Sequence, residues 1–416
     1  MKYGLIGERL GHSFSREIHE LLDEYDYELI ELSPNELEIF LKKKDFNAIN
    51  VTIPYKEKVI PYLDYISKEA EEIKAVNTIV NKDGKLYGYN TDYYGVKELL
   101  KKKKINTSNN KVLILGTGGS SKTVTAVLKE QSPSEIIYVS RTKTDNTITY
   151  AEAITLHNDA NIIINTTPCG MYPNNDDLII DINHFKKLNA VVDIVYNPLH
   201  TRLIVEAKLK NITCIGGLYM LITQAIYANA LFMNKKVNTK IINQIYKKIF
   251  NEKNNIVLIG MPSAGKTTIG RVLATRLNKD FVDIDQLIIE KINMDINSYF
   301  KEYGEEAFRK LEAKIIKDVS KDNNLVISTG GGAILNEENM KNLKNNGFVF
   351  FINRFITNLI PTDDRPLSSN QKDLNKLYKE RLPLYKKYAD YEIDNNSSLK
   401  YTINHILSIY EYICLE

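Results

Sequence analysis

Short apolar runs alternate with helix-period patterns along most of the chain, which is the signature of an α/β protein. The first segment offers strands at "KYGLIG", "YELIEL" and "NAINVTI". A hairpin signal follows, with Asp83-Gly84 flanked by "NTIVNK" and "KLYGYN". From Lys111 the runs "KVLILG", "EIIYVS", "NIIINTT", "AVVDIVY" and "NITCIG" are β-branched and spaced for helices between them. A doubly wound parallel sheet, buried on both faces, requires that pattern. A helical stretch from residue 218 to about 250 ends in "KKIFNEKNN", a polar patch read as a linker over 247–255. A fresh strand, "NIVLIG", then opens a second α/β unit.

At 416 residues the chain exceeds one compact core, and two or three domains are expected. Its 43% hydrophobic and 26% charged content is ordinary for a globular protein. A net charge of +3 argues against nucleic acid or an acidic membrane as partner. The lysine run at 101–104 reads as a solvated helix end. Three scattered cysteines, with no CxxC, argue against a disulfide framework or zinc site and fit a reducing compartment. The opening apolar run breaks at Glu8 and Arg9, too early for a signal peptide, and no run of about 18 apolar residues appears. These features predict a cytoplasmic protein. Its oligomeric state is left open, a homodimer among the options.

Two glycine clusters carry candidate nucleotide chemistry. In "KVLILGTGGSSKTVTAVLKE", which reads strand, turn, helix, Gly116 and Gly118 fit the first two places of G-x-G-x-x-G, while Ser121 takes the sixth. Gly116 makes the tight turn and Gly118 lets backbone approach a pyrophosphate at the helix N-terminus. The next strand ends in Ser140-Arg141-Thr142, without the acidic residue that binds an NAD ribose. Arg141 there favours NADP, because its guanidinium can pair with a 2′-phosphate. The second cluster, "GMPSAGKT" at 260–267, matches G-x-x-x-x-G-K-[ST] in full between a strand and a helix. Backbone N–H groups there cradle phosphates, Lys266 reaches the β/γ oxygens and Thr267 binds Mg²⁺.

Other polar residues suggest substrates. In "NAINVTIP", alternation puts Asn50 and Thr52 on one face and Ile49, Val51 and Ile53 on the other. A polar ligand or a water-facing edge strand explains the first pair. If Asp83-Gly84 is a two-residue turn, Asn77 faces Asn90 and Asp92 continues that face. The hairpin mouth then gathers two amides and a carboxylate. With Lys56 nearby, Asp92 could form a proton-transfer pair.

The motifs "GHSFS", "NVTIPYK", "AVNTI", "GYNTD", "NTTPCGM", "DIVYNP" and "GGLYMLITQA", in that order, resemble shikimate dehydrogenase over residues 1 to about 250. The resemblance implies that Ser13, Ser15, Thr52, Asn77, Asp92 and Gln224 hold shikimate, with Tyr196 lining the pocket. Ile194 and Gly217 would lie near the nicotinamide, and Gly116, Thr117, Gly118, Gly119, Ser120, Arg141 and Thr142 would hold NADP(H). Lys56 and Asp92 would be the catalytic pair. The family often has Asn before this Arg-Thr and a second basic residue where Asp145 stands, so a weaker preference for NADP is expected.

After the second loop, "FVDID" places Asp283 and Asp285 on one strand face, and "FRKLE" sets Arg309 and Glu312 one helical turn apart. "ISTGGGA" brings Gly330 to Gly332 to a strand end, while "DDRPL" and "RLPLY" supply Arg365 and Arg381. Together these resemble shikimate kinase over about residues 255 to 416. The resemblance assigns Asp285, Arg309, Gly331 and Arg381 to shikimate, with Lys266 and Asp285 catalytic. Thr267, Asp283 and Ser328 would surround Mg²⁺ and its waters. Pro262, Ser263, Ala264, Gly265, Thr268 and a lid residue, Arg365, would hold ATP. No arginine lies between Arg354 and Arg365 to stack on adenine, which leaves the adenine contacts unassigned.

The implied architecture is a substrate-binding α/β domain over 1–104, completed by helices at about 222–250, and an NADP-binding Rossmann domain over 105–221. The linker at 247–255 leads to a P-loop kinase domain with a parallel sheet over 256–416. The implied chemistry is consecutive: NADPH-dependent reduction of 3-dehydroshikimate, then Mg-ATP-dependent phosphorylation of shikimate, on the route to chorismate and the aromatic amino acids. Two alternatives stand beside it, an NAD-dependent quinate dehydrogenase in the first half and an inactive sensor of shikimate or quinate. A sensor should have lost Lys56, Asp92, Lys266 or Asp285, and all four are present.

Overall fold

The β-branched runs become strands, and among the described residues the strands assemble into three separate sheets. A computed structural model describes residues 3–11, 13–360 and 371–414. The chain divides into two compact units, Met1–Ile249 and Phe250–Glu416.

The first sheet comprises β1 (Tyr3–Gly7), β2 (Tyr27–Glu31), β3 (Ala48–Val51), β4 (Tyr65–Ile66), β5 (Thr78–Lys82) and β6 (Lys85–Tyr89). Their order is β2-β1-β3-β5-β6-β4, with β1, β2 and β3 parallel and the β5–β6 hairpin antiparallel. Asp83 (φ 53°) and Gly84 (φ 78°) both take positive φ, as the mirror-image turn of a two-residue hairpin demands. Thr78 therefore faces Tyr89, and Lys82 faces Lys85. Just beyond, the Asn77 N–H donates to Tyr89 O at 3.0 Å.

The alternation expected around β3 holds only in part. β3 lies between β1 and β5, so it is not an edge strand, and all four of its residues, Asn50 among them, are buried. The strand ends at Val51, and Ile53, in the turn before Pro54, is 60% exposed instead of joining Ile49 and Val51 in the core. The helix Asp92–Lys102 starts where the hairpin opens and crosses the apolar helix Leu218–Phe232 at Gly95. A Cβ on Gly95 would lie 2.8 Å from Met220 O, so only glycine allows this approach, which brings Gln224 to the hairpin mouth.

The second sheet, β7 (Lys111–Leu115), β8 (Glu135–Ser140), β9 (Ile148–Thr149), β10 (Ile162–Asn165), β11 (Ala190–Asp193) and β12 (Thr213–Ile215), is wholly parallel. Its order, β12-β11-β10-β7-β8-β9, reverses direction between β10 and β7. A crevice opens above the strand ends at such a reversal, and dinucleotides bind there.

The second unit holds five parallel strands, β13 (Asn255–Ile259), β14 (Asp280–Asp283), β15 (Leu325–Ser328), β16 (Gly347–Asn353) and β17 (Tyr391–Asp394), ordered β14-β15-β13-β16-β17. The stretch read as a linker is regular structure. Residues 247–253 finish the helix Ile242–Lys253, Asn254 is buried, and Asn255 already belongs to β13. An apolar face explains this: Ile245, Ile249 and Phe250 are buried among otherwise polar neighbours. Among the described residues, no helix is long and apolar enough to cross a membrane.

Candidate active sites

At the hairpin mouth, Lys56 Nζ lies 2.6 Å from Asp92 Oδ2, with the two side chains 15% and 8% exposed. Lys56 follows the turn after β3, where Val76 N donates to its carbonyl at 2.8 Å, and Asp92 is the first residue of its helix. Beside them Asn77 Oδ1 accepts from Thr91 N at 2.7 Å, and its Nδ2 donates to Thr91 Oγ1 at 3.0 Å and to Gln224 Oε1 at 3.4 Å. A third group stands at the end of β1. Ser13 Oγ donates to Ser15 Oγ at 3.0 Å, Phe14 packs 5.3 Å from the Tyr196 ring, and Tyr196 shares a hydrogen bond with Ser13. Burial raises the Tyr196 phenol above its ordinary value, against the lowering effect of the Ser13 hydrogen bond. Tyr27 and Asn50 lie behind these groups: the Tyr27 hydroxyl donates to Asn50 Oδ1 at 2.7 Å, and Asn50 Nδ2 donates to Asn77 O at 3.2 Å. Thr52 stays on the rim, its N–H donating to Ile6 O and its methyl lying over Gly7.

On the nucleotide side, Gly116 turns at φ 104°, and the helix Gly119–Lys129 starts from Gly118. A Cβ on Gly116 would fall 2.8 Å from Thr167 Cγ2, whereas one on Gly118 would meet nothing within 4 Å. The first glycine is thus closed by the fold, and the second faces open space beside the unpaired N–H groups of the helix, with Thr117 and Ser120 flanking it. Arg141 and Thr142 stand exposed after β8, while Lys143 is engaged by Glu152. A Cβ on Gly217 would collide with Ile194 O, so Gly217 is what lets those two segments touch.

In the second unit, backbone strain and charge gather around 260–267. Gly260, Ser263 and Gly265 all have positive φ, and the helix Lys266–Leu277 follows. Lys266 Nζ donates to Gly260 O and Met261 O, each at 2.9 Å. Ser263 Oγ donates to Ile360 O, and Ala264 O accepts from Asn395. Thr267 Oγ1 donates to Asp283 Oδ2 at 2.8 Å, while Thr268 is exposed on the same helical turn. Asp283 and Asp285 do not share a strand face. β14 ends at Asp283, which caps the next helix by accepting from Asp285 N at 3.1 Å, and Asp285 lies in that helix's first turn. Thr267 and Asp283 together present hard oxygen donors, which fits Mg²⁺ held largely through waters.

The glycines after β15 collect the remaining groups. A Cβ on Gly330 would sit 2.6 Å from Asp285 Oδ1 and 2.9 Å from Glu312 Oε1, and one on Gly331 would sit 2.8 Å from Pro262 Cδ. The Arg309 guanidinium lies over Gly332 and pairs with Glu312 at 2.8 Å. Arg381 Nη1 donates to Gly331 O at 3.0 Å. Burial raises the Glu312 carboxyl despite Arg309. Ser328, next to Asp283 across the sheet, is buried. Arg365 lies outside the described residues.

Shikimate dehydrogenase (NADP(+)) of Clostridium perfringens (strain 13 / Type A) is 40% identical over 265 residues, covering 59% of this chain and 97% of its own. The chain belongs to the shikimate dehydrogenase family. The family model described as the shikimate dehydrogenase substrate binding domain matches residues 5–79. The one described as shikimate kinase matches residues 262–411, so a dehydrogenase half and a kinase half share one chain. Among solved structures, Shikimate Dehydrogenase 1 from Peptoclostridium difficile is 33% identical with a TM-score of 0.56, covering 60% of this chain and 98% of that one. A chorismate mutase/shikimate 5-dehydrogenase fusion protein from Clostridium acetobutylicum also gives 33% and 0.56, covering 59% and 96%.

Within the dehydrogenase half, sequence reasoning credited Asn90 to the pocket, but its amide is occupied by Ala75 O and Tyr93 N. The pocket neighbour is Thr91, which one further step along "GYNTD" could have suggested. Nothing in the sequence singled out Tyr27, whose link to Asn50 comes from the pairing of strands far apart in the chain. Within the kinase half, Glu312 was paired with Arg309 but not seen to reach Asp285, because the glycine run that brings them together gives no register.

Proposed function

We infer that this chain reduces 3-dehydroshikimate to shikimate with NADPH and then phosphorylates shikimate to shikimate 3-phosphate with Mg-ATP. The observation that carries the reading is that one polypeptide holds both the buried Lys56–Asp92 pair and the Lys266/Thr267/Asp283 cluster, each within a match to a shikimate family. Its three cysteines are free, which fits a reducing, cytoplasmic setting.

In the dehydrogenase half, Ser13, Ser15, Thr52, Asn77, Tyr196 and Gln224 bind the hydroxyls and carboxylate of the substrate. The 116–120 turn, with Ile194 and Gly217, would hold NADPH, which would supply the hydride. Lys56 holds the developing oxyanion at C3 and gives it a proton, and Asp92 keeps the ammonium in place. In the kinase half, Arg309 and Arg381 fix the shikimate carboxylate, their forks matching its two oxygens. Asp285 orients the attacking hydroxyl against Gly331. The 262–265 backbone, Lys266 and Thr268 would hold the phosphates, and Thr267 and Asp283 would hold Mg²⁺, which would supply positive charge to screen the transferred group.

A coupled assay tests the whole reading. Full-length chain given 3-dehydroshikimate, NADPH and Mg-ATP should consume NADPH and accumulate shikimate 3-phosphate. Reduction without any phosphorylated product would remove the kinase half of the inference.

Cofactor choice rests on Arg141 as the partner of a 2′-phosphate. Arg141→Ala should raise KM for NADPH by about 10- to 150-fold, the worth of one charge-assisted contact, and leave that for NADH nearly unchanged. Equal effects on both cofactors would place Arg141 away from that phosphate.

A further inference from the structure

Where β10 and β11 end, the dehydrogenase half buries a carboxylate that neither reaction uses. Asp193 is wholly buried, closes β11 and sits beside Asn165, the last residue of β10. Its Oδ1 accepts from Asn165 Nδ2 and from Val195 N, each at 3.0 Å, and its Oδ2 accepts from Thr201 Oγ1 at 2.6 Å. Burial pushes its carboxyl up to about 6, against the lowering effect of those three donors. A raised carboxyl subtracts from stability as pH climbs past its unfolded value and through 6, because the folded chain must then hold an anion away from water. An apolar residue would avoid that cost. The arrangement makes sense for what the donors control.

Two of the donors lead to different parts of the site, and the third anchors a helix behind it. Asn165 Oδ1 accepts from Thr167 N at 3.0 Å and Thr167 Oγ1 at 2.8 Å, and Thr166 donates twice to Leu115 O. Those two threonines press on Gly116, the turn of the nucleotide loop. Val195 stands between Ile194 and Tyr196, and its carbonyl accepts from Gly217 N at 2.9 Å. Thr201 caps the helix Arg202–Leu209. One anion therefore ties the cofactor turn to the segment that reaches both the nicotinamide neighbour and the substrate pocket.

We propose that Asp193 is a positioning residue for hydride transfer, clamping the Thr166/Thr167 turn to the Ile194–Tyr196 segment so that cofactor and substrate meet at a fixed separation. It touches neither reactant. The proposal rests on the dehydrogenase reading above. A displacement of about 1 Å in a reacting pair can cost about 10²-fold.

Full-length Asp193→Ala and Asp193→Asn, with the parent chain, are assayed for shikimate oxidation by NADP, using shikimate and shikimate deuterated at C3. Asp193→Ala should lower kcat by about 10²-fold and enlarge the isotope effect, as hydride transfer becomes the slow step, with KM for shikimate changed much less. Asp193→Asn keeps one oxygen, and the Thr201 hydroxyl can turn to accept from the amide, so its loss should be smaller in the same direction. If the alanine variant fails to fold, the asparagine variant decides alone. A kcat within about twofold of the parent overturns the proposal. So does a loss that only follows the thermal midpoint with the isotope effect unchanged. A parent chain inactive toward shikimate and NADP would overturn the functional reading itself.

Discussion

Lys56→Ala lowers kcat for 3-dehydroshikimate reduction by about 10²–10⁴-fold, and adding Asp92→Ala costs scarcely more. Hydride arriving at the C3 carbonyl leaves an alkoxide that must be stabilised and then protonated. An ammonium can do both, but only if something keeps it at the reacting oxygen. On the proposed reading that is the part of Asp92, whose Oδ2 lies 2.6 Å from Lys56 Nζ with both side chains mostly shielded. Groups that act as a unit lose their joint effect when either goes, so the two single losses do not add. Asp92→Ala alone also leaves a buried charge without its partner, which removes stability as well as rate. If both residues merely bound substrate, KM would rise while kcat held. Separate kcat and KM values for the three variants decide between these accounts, and an unchanged kcat in Lys56→Ala ends the catalytic role.

Lys266→Ala should abolish phosphorylation, by about 10²–10³-fold or more, while leaving reduction nearly intact. Its Nζ is held over the turn by two carbonyls, Gly260 and Met261, so its charge sits at a fixed point rather than on a roaming stem. Fixed charge aimed at a transferring phosphoryl group is the main resource such a site has. The same chain reports both activities, and Lys266 lies within Phe250–Glu416 while every dehydrogenase residue named lies within Met1–Ile249. Parallel assays of the two reactions on one preparation suffice. Loss of both in a folded chain would show that the halves are coupled.

Much of this was legible in the sequence because the constraints were local. The Asp83-Gly84 turn sets its own register, so Asn77 could be placed at the hairpin mouth from numbering alone, whereas Asp92, expected to continue the strand face, opens a helix instead. The two glycine loops follow from the φ values that only glycine adopts easily. What escaped depended on neighbours remote in sequence. Whether β3 was an edge or an interior strand is decided by β1 and β5, and so was the fate of Asn50. The placement of Asp285 turned on where β14 gave way to helix, and a single capping bond from Asp283 settles that. Asp193 stands within the "AVVDIVY" and "DIVYNP" runs, yet nothing in the sequence assigned it a role, because its bonds to Asn165 and Thr201 exist only in the folded chain.

Because the dehydrogenase and kinase units are consecutive stretches of one polypeptide, parting between Ile249 and Phe250, they are made in a one-to-one ratio at every level of expression. Transcription, translation and turnover act on both at once. Making more or less of this chain cannot correct an imbalance between the two fluxes. The ratio is set only by the turnover and affinity of each site, so adjusting it across generations takes amino-acid replacements in a pocket rather than a stronger promoter.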